Sequence, residues 1–161
     1  MEELRQKDTL LKLAGNALNA MLNGLSQTDE ETRDRIMRMC GEACAREKHW
    51  GPALEIAERI AQEEKDLDRI IERANSEISW CGKWVRKGDL ILSTCRECGC
   101  SLVRHGVVRN TGVFCHCSKG WVEATFGALL KRLVRVELEK ALGLGDDECK
   151  YVVHMEEADL R

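Results

Sequence analysis

The chain has 161 residues, 43% hydrophobic and 33% charged, with a formal net charge of −3 and a pI of about 5.9. That balance suits a chain that buries a core and stays soluble, and it opposes a general nucleic-acid binder, which needs a basic face to displace counterions. No apolar run approaches the ~20 residues that span a bilayer, and the acidic start Met1-Glu-Glu-Leu has no signal-peptide pattern, so the expectation is a cytoplasmic protein without nucleic-acid or membrane partners.

The first half reads helical. Leu10, Leu13, Ala14, Ala17, Met21 and Leu25 recur at helical spacing. Such a stripe more often joins the core than a partner, and docking on a second copy, a homodimer, is the other use of it. Ser26 to Glu30 reads as a stop and a new start, with Thr28 or Asp29 as cap and acidic residues in the first turn. The next helix carries Ile36, Met37, Cys40 and Cys44 and ends near Trp50-Gly51, where His49 reads as a helix-end residue. Pro52 fits the first turn of a third helix striped by Leu54, Ala57, Ile60 and Ala61. Leu67, Ile70, Ile71, Ala74 and Ile78 continue the pattern, and the charged stretch Glu63-Glu-Lys-Asp leaves a break or a continuous helix equally open.

From Lys87 the pattern changes. Asp89 to Thr94 is a short strand candidate, and Val113-Phe-Cys-His-Cys117 is expected to be extended. Trp121 to Leu133 returns to helical spacing. Val134, Val136 and Leu138 then alternate with Arg135, Glu137 and Glu139, the period of a half-buried strand. Cys149, Tyr151, Val153 and Met155 share one face of a last strand, which is expected to pair antiparallel with the one before. The whole reads as a single α+β domain over 1–161, helical over 1–86, with a small antiparallel sheet in the Cys-rich part over 87–161.

Nine cysteines stand in the chain, five of them between Cys95 and Cys117. In a reducing compartment such clustering favours metal ligation or redox chemistry over structural disulfides. In extended segments Cys98 and Cys100 would share a face, as would Cys115 and Cys117. Four sulfurs would then converge on one tetrahedral ion, zinc at Zn–S distances of ~2.3 Å. Cys95 and Cys98 as a C-x2-C pair are the variant, so the candidate ligands are Cys95, Cys98, Cys100, Cys115 and Cys117. An iron–sulfur cluster is the alternative cofactor. His116 would face away from its neighbours and is not counted. Cys40 and Cys44 meet on one helix face and could complete a site with Cys115 and Cys117 or with Cys81, although the apolar stripe explains Cys40 more simply. Cys149 reads as a core residue of the hairpin.

The stretch Phe114-Cys-His-Cys-Ser-Lys-Gly-Trp121, with Phe126, Val134-Arg-Val-Glu-Leu and Gly145-Asp-Asp-Glu-Cys149-Lys-Tyr-Val-Val-His154, resembles the C-terminal half of the 4-vinyl reductase ligand-binding domain. It is also similar to the L-2-amino-thiazoline-4-carboxylic acid hydrolase-like proteins. The resemblance covers the last quarter to third of the chain and is carried by Gly145, Asp146 and Cys149. It implies an antiparallel sheet with helices on one side, frequent dimerisation, and either a small apolar or tetrapyrrole-like ligand or hydrolysis of a small sulfur-containing ring.

Two functions follow as expectations. One is a cytosolic metal-binding and small-ligand-binding module, with Trp121 and Phe126 helping to line a pocket. The other is a thiol-dependent hydrolase of a small sulfur- or nitrogen-containing molecule. Its nucleophile would be Cys117, activated by Lys119 and by a helix beginning near Trp121.

Overall fold

A computed structural model describes residues 2–47, 52–80 and 82–155. The expectations that fall on His49, Trp50, Gly51 and Cys81 lie outside the described residues. The α+β arrangement is as expected. Helices α1 (Glu2–Leu25), α2 (Glu30–Ala45), α3 (Ala53–Glu63) and α4 (Leu67–Glu77) precede strands β1 (Val85–Lys87) and β2 (Leu90–Cys95). Then come the short helix α5 (Ser101–Arg104), the long helix α6 (Gly112–Leu130), β3 (Arg135–Lys140), a single 3-10 turn (Leu142–Leu144) and β4 (Cys149–His154).

Local chemistry accounts for the helix boundaries. Asp29 caps α2, its Oδ1 accepting from the Thr32 amide at 2.8 Å, and Glu30 and Glu31 occupy the first turn, where the dipole favours negative charge. Pro52 stands at the N-cap of α3 with φ −76°. Between α3 and α4 the chain breaks: Glu64 is extended and Asp66 starts a new helix by accepting from the Arg69 amide at 3.0 Å.

The sheet has the order β1-β2-β4-β3, with every neighbouring pair antiparallel. β4, the last strand in sequence, lies between β2 and β3, so Ile91 and Val136 both sit opposite Val153, and Cys95 sits opposite Cys149. β1 has no counterpart in the sequence reading, because three exposed residues carry no burial pattern. Phe126 and Leu129 of α6 pack with Ile60 of α3 and with Ile91, Val136 and Val153 of the sheet, all nearly inaccessible. Burying each of these side chains contributes ~1.5–3 kcal/mol, which makes α6 the pillar of the fold.

Two expectations are corrected here. Residues 113–117 are helical, not extended. Thr111 caps α6, its Oγ1 accepting from the Phe114 amide at 3.3 Å, and the helix runs through to Leu130. Successive thiols at Cys115 and Cys117 therefore point to different sides of a helix instead of sharing one strand face. The stripe of α1 also lies elsewhere than in the core. Gly15 and Asn19 dock α1, with Asn19 Nδ2 donating to the Val107 carbonyl at 3.3 Å and its Oδ1 accepting from the Arg109 amide at 3.0 Å. Leu10, Leu13 and Met21, on the opposite side, are exposed by about two thirds (64%, 66% and 70%).

Candidate functional site

The first two turns of α6 separate the thiols into two neighbourhoods. On one side, Cys115 meets the 3-10 turn. A Cβ built on Gly143 would stand 2.6 Å from the Cys115 sulfur, so only glycine lets this backbone come so close. The Gly143 amide donates to Cys115, and the Leu142 amide donates to the Cys149 sulfur at 3.5 Å. Across from them, in the loop between β2 and α5, Cys98 accepts from the Cys100 amide. Cys115 lies within electrostatic reach of Cys149, Cys98 and Cys100, and Cys98 within reach of Cys100 and Cys149.

Four thiols from three separate stretches thus lie together, and three of them have a backbone amide pointed at sulfur. Burial pushes the Cys115 thiol up to about 11, with the neighbouring sulfurs adding to the shift and the Gly143 amide opposing it. Burial raises Cys98 as well, against the pull of the Cys100 amide. Cys98 and Cys115, which resist ionisation beside their neighbouring sulfurs, form a place where a cation would relieve the repulsion.

The turn at Gly145 and Asp146 places these amides. Gly145 has φ +96°, the left-handed region that glycine enters freely. Asp146 Oδ2 accepts from the Ala141 amide at 2.7 Å and closes the loop around Leu142–Leu144. The structural part played by Gly145 and Asp146 is therefore to present the Leu142 and Gly143 amides to Cys149 and Cys115.

On its other side, α6 presents Cys117 to α2. The Cys117 thiol and Cys44 are hydrogen-bonded, and Cys40 and Cys100 lie within electrostatic reach of Cys117. The bond from Cys117 lowers the Cys44 thiol to about 7, although burial opposes it. The same bond, followed by burial, raises Cys117. Cys40 is raised by burial and then by Cys44. Cys44 and Cys40 are exposed, Cys117 half-buried.

Of the five expected ligands, then, Cys98, Cys100 and Cys115 come together. Cys117 belongs to the second neighbourhood. Cys95 is disulfide-bonded, so its sulfur has no thiolate to offer a metal and the C-x2-C pairing with Cys98 is closed. Cys149, buried in the core as expected, completes the first neighbourhood. The signal for it is register: its strand lies beside β2, and Cys98 follows the end of β2 closely. As they stand, the sulfurs are neighbours without being a closed cage. Among the described residues, no group of three or more His, Cys, Asp or Glu is arranged to hold an ion.

The expected activation of Cys117 lies elsewhere too. α6 begins at Gly112, not near Trp121, so Cys117 stands beyond the first turn. Lys119 Nζ is held by Asp34 Oδ1 at 2.7 Å. Asp34 also takes His116 Nδ1 at 2.8 Å and Arg38 Nε at 2.6 Å, and Arg38 reaches on to Glu123, which accepts from the Val136 amide at 3.1 Å. Burial alone would raise the Asp34 carboxyl, but Lys119, His116 and Arg38 together hold it well below the usual range. This network ties α2 to α6, through His116 and Lys119 on either side of Cys117 and through Asp34 and Arg38 on the N-terminal side of Cys44.

Residues 16–159 match the family of unknown function DUF6144. The chain belongs to that family. No curated protein matches the chain. The span shared with DUF6144 takes in all nine cysteines. Phe126, expected to help line a pocket, is fully buried in an aromatic cluster, its ring 4.8 Å from Trp84 and 5.6 Å from Trp80. Trp121 is half-buried and meets Trp80 edge-on at 5.0 Å. Among the described residues, no helix is long and apolar enough to cross a membrane.

Proposed function

We propose that the protein binds a soft metal ion, zinc by preference, through Cys98, Cys100, Cys115 and Cys149. One observation carries this reading: four free thiols from three stretches of chain lie together, and backbone amides point at three of the sulfurs. Amides aimed at sulfur stabilise thiolate charge, and Cys98 and Cys115, raised by burial and in part by neighbouring sulfurs, gain from a divalent cation. Closing the cage would require these side chains to rearrange, to give Zn–S bonds of ~2.3 Å. Four thiolates leave no open coordination position, so the ion's role would be structural or sensory, and its binding energy would add to folding stability.

The test is elemental analysis of anaerobically purified protein alongside a count of reactive thiols. The expected result is about one zinc per chain with those four thiols protected, and loss of the metal in Cys115→Ser and Cys149→Ser but not in Cys117→Ser. Iron with inorganic sulfide would replace zinc by a cluster on the same ligands. A metal-free protein with all four thiols open to alkylation would end the reading.

A further inference from the structure

The second neighbourhood carries a chemistry of its own. α2 and α6 touch backbone to backbone. A Cβ on Gly41 would stand 2.6 Å from the Trp121 amide nitrogen and closer still to the Cys117 carbonyl, and one on Gly120 would stand 2.6 Å from Arg38 Cα. A disulfide needs its two Cα atoms about 4.4–6.8 Å apart, and helices must pack this closely to supply such a pair. One turn along α2 from Gly41, Cys44 shares a hydrogen bond with Cys117. The pair is asymmetric: Cys44 is exposed and Cys117 half-buried behind it. A small molecule therefore meets Cys44 first, and Cys117 stands in line to follow.

We propose that Cys44 and Cys117 form a thiol–disulfide exchange site, with Cys44 attacking and Cys117 resolving, whose substrate is a low-molecular-weight disulfide.

The Cys44 sulfur attacks one sulfur of the small disulfide, whose S–S bond breaks as one thiolate departs and takes up the proton that Cys44 gives up. A mixed disulfide is left on Cys44. The Cys117 sulfur then attacks Cys44, its proton passes to the departing second thiolate, and the Cys44–Cys117 bond forms. The protein gives up two electrons and two protons, and the small disulfide leaves as two thiols. Cys40 lies one turn before Cys44 on the same helix and is the competing partner. The hydrogen bond selects Cys117 over it, and a bond to Cys117 clamps α2 to α6 where a Cys40–Cys44 bond would link two points of a single helix.

The exchange site shares no residue with the metal site but adjoins it, since Cys100 lies within electrostatic reach of Cys117, and the experiment keeps the two apart. Reduced full-length protein is mixed with oxidised glutathione, quenched with acid, alkylated and mapped by mass spectrometry, with zinc measured on the same sample. The expected product is a Cys44–Cys117 disulfide, formed whether or not zinc is bound. Cys117→Ser should stop at a glutathione adduct on Cys44. Cys44→Ser should slow thiol release by at least about tenfold, with its fold checked by circular dichroism. A Cys40–Cys44 disulfide, a glutathione adduct that persists on Cys44 in the wild type, or undiminished thiol release from Cys44→Ser would each overturn the proposal.

Discussion

Gly41 of α2 lies against Cys117 of α6 with no room for a methyl group between them. That contact sets the distance between the two helices and hence the meeting of Cys44 with Cys117. Gly41→Ala should destabilise the protein by about 3 kcal/mol, because the obstacle is backbone and cannot swing aside. Urea denaturation measures it. Gly24→Ala is the matched comparison. It too lies in a helix, but nothing stands within 4 Å of the added carbon, so it should leave stability unchanged or raise it by up to ~1 kcal/mol. Equal losses at both positions would mean that the helix crossing is looser than described.

The metal site should be pH-dependent. Cys98 and Cys115 both hold their protons more tightly than a free thiol, so an ion must displace those protons to bind. Zinc affinity is expected to rise as pH increases from 6 towards 8, with proton release detectable by calorimetry in buffers of different ionisation enthalpy. An affinity flat across that range would exclude thiolate ligation by these residues.

Asp146→Ala should act at a distance on the same site. Its carboxylate holds the Ala141 amide and keeps the 3-10 turn in place. Losing that bond should cost ~1 kcal/mol of stability and weaken zinc binding, although Asp146 itself is an exposed residue. Asp147→Ala is the comparison, since Asp147 reaches Lys140 only at the surface, and its zinc affinity should equal that of the wild type.

Asp34 predicts the acid limit. Its carboxyl has a lower pKa folded than unfolded, through Lys119, His116 and Arg38, against burial. A depressed folded value means that the stabilisation is fully present above the unfolded value of ~3.9 and is lost as pH falls from there through the folded one. Asp34→Asn should therefore cost about 1–3 kcal/mol at pH 7, and the difference from wild type should shrink below pH ~4. Thermal melts of both proteins from pH 3 to 7 measure it. A gap that stays constant down to pH 3 would assign the loss to something other than charge.

Cys44 should be the most readily alkylated of the α2 thiols. Its pKa of about 7 comes from the Cys117 hydrogen bond, against burial, whereas Cys40 is raised. Iodoacetamide labelling of Cys44 should reach half its maximal rate near pH 7. Cys117→Ala removes the donor, so the midpoint should move upward and labelling at pH 7 should slow.

Much of the fold was legible because it rests on patterns a few residues long. Leu54 to Ala61, the alternation from Val134 to Glu139, Asp29 as a cap and the last strand from Cys149 depend on near neighbours alone. Residues 113–117 misled for the same reason. Val113 and Phe114 look extended in isolation, and the cap at Thr111 and the contact of Gly120 with α2 make them helical. The stripe of α1 was correctly placed on a helix. Which side of that helix would dock was decided by Gly15 and Asn19, small and polar residues with no hydrophobic signal.

The sequence by itself determined the helices of the first half and the strands β2, β3 and β4, that thiols are dense in the second half, and that an α+β domain results. Periodicity, caps and composition are local properties of the chain. Which sulfurs meet was decided by the tertiary structure alone. A helix at 112–130 sends Cys115 and Cys117 to opposite neighbourhoods, insertion of β4 beside β2 brings Cys149 towards Cys98, and the glycine crossing at Gly41 and Gly120 joins Cys44 to Cys117. These meetings link residues tens of positions apart, and only packing brings such residues together.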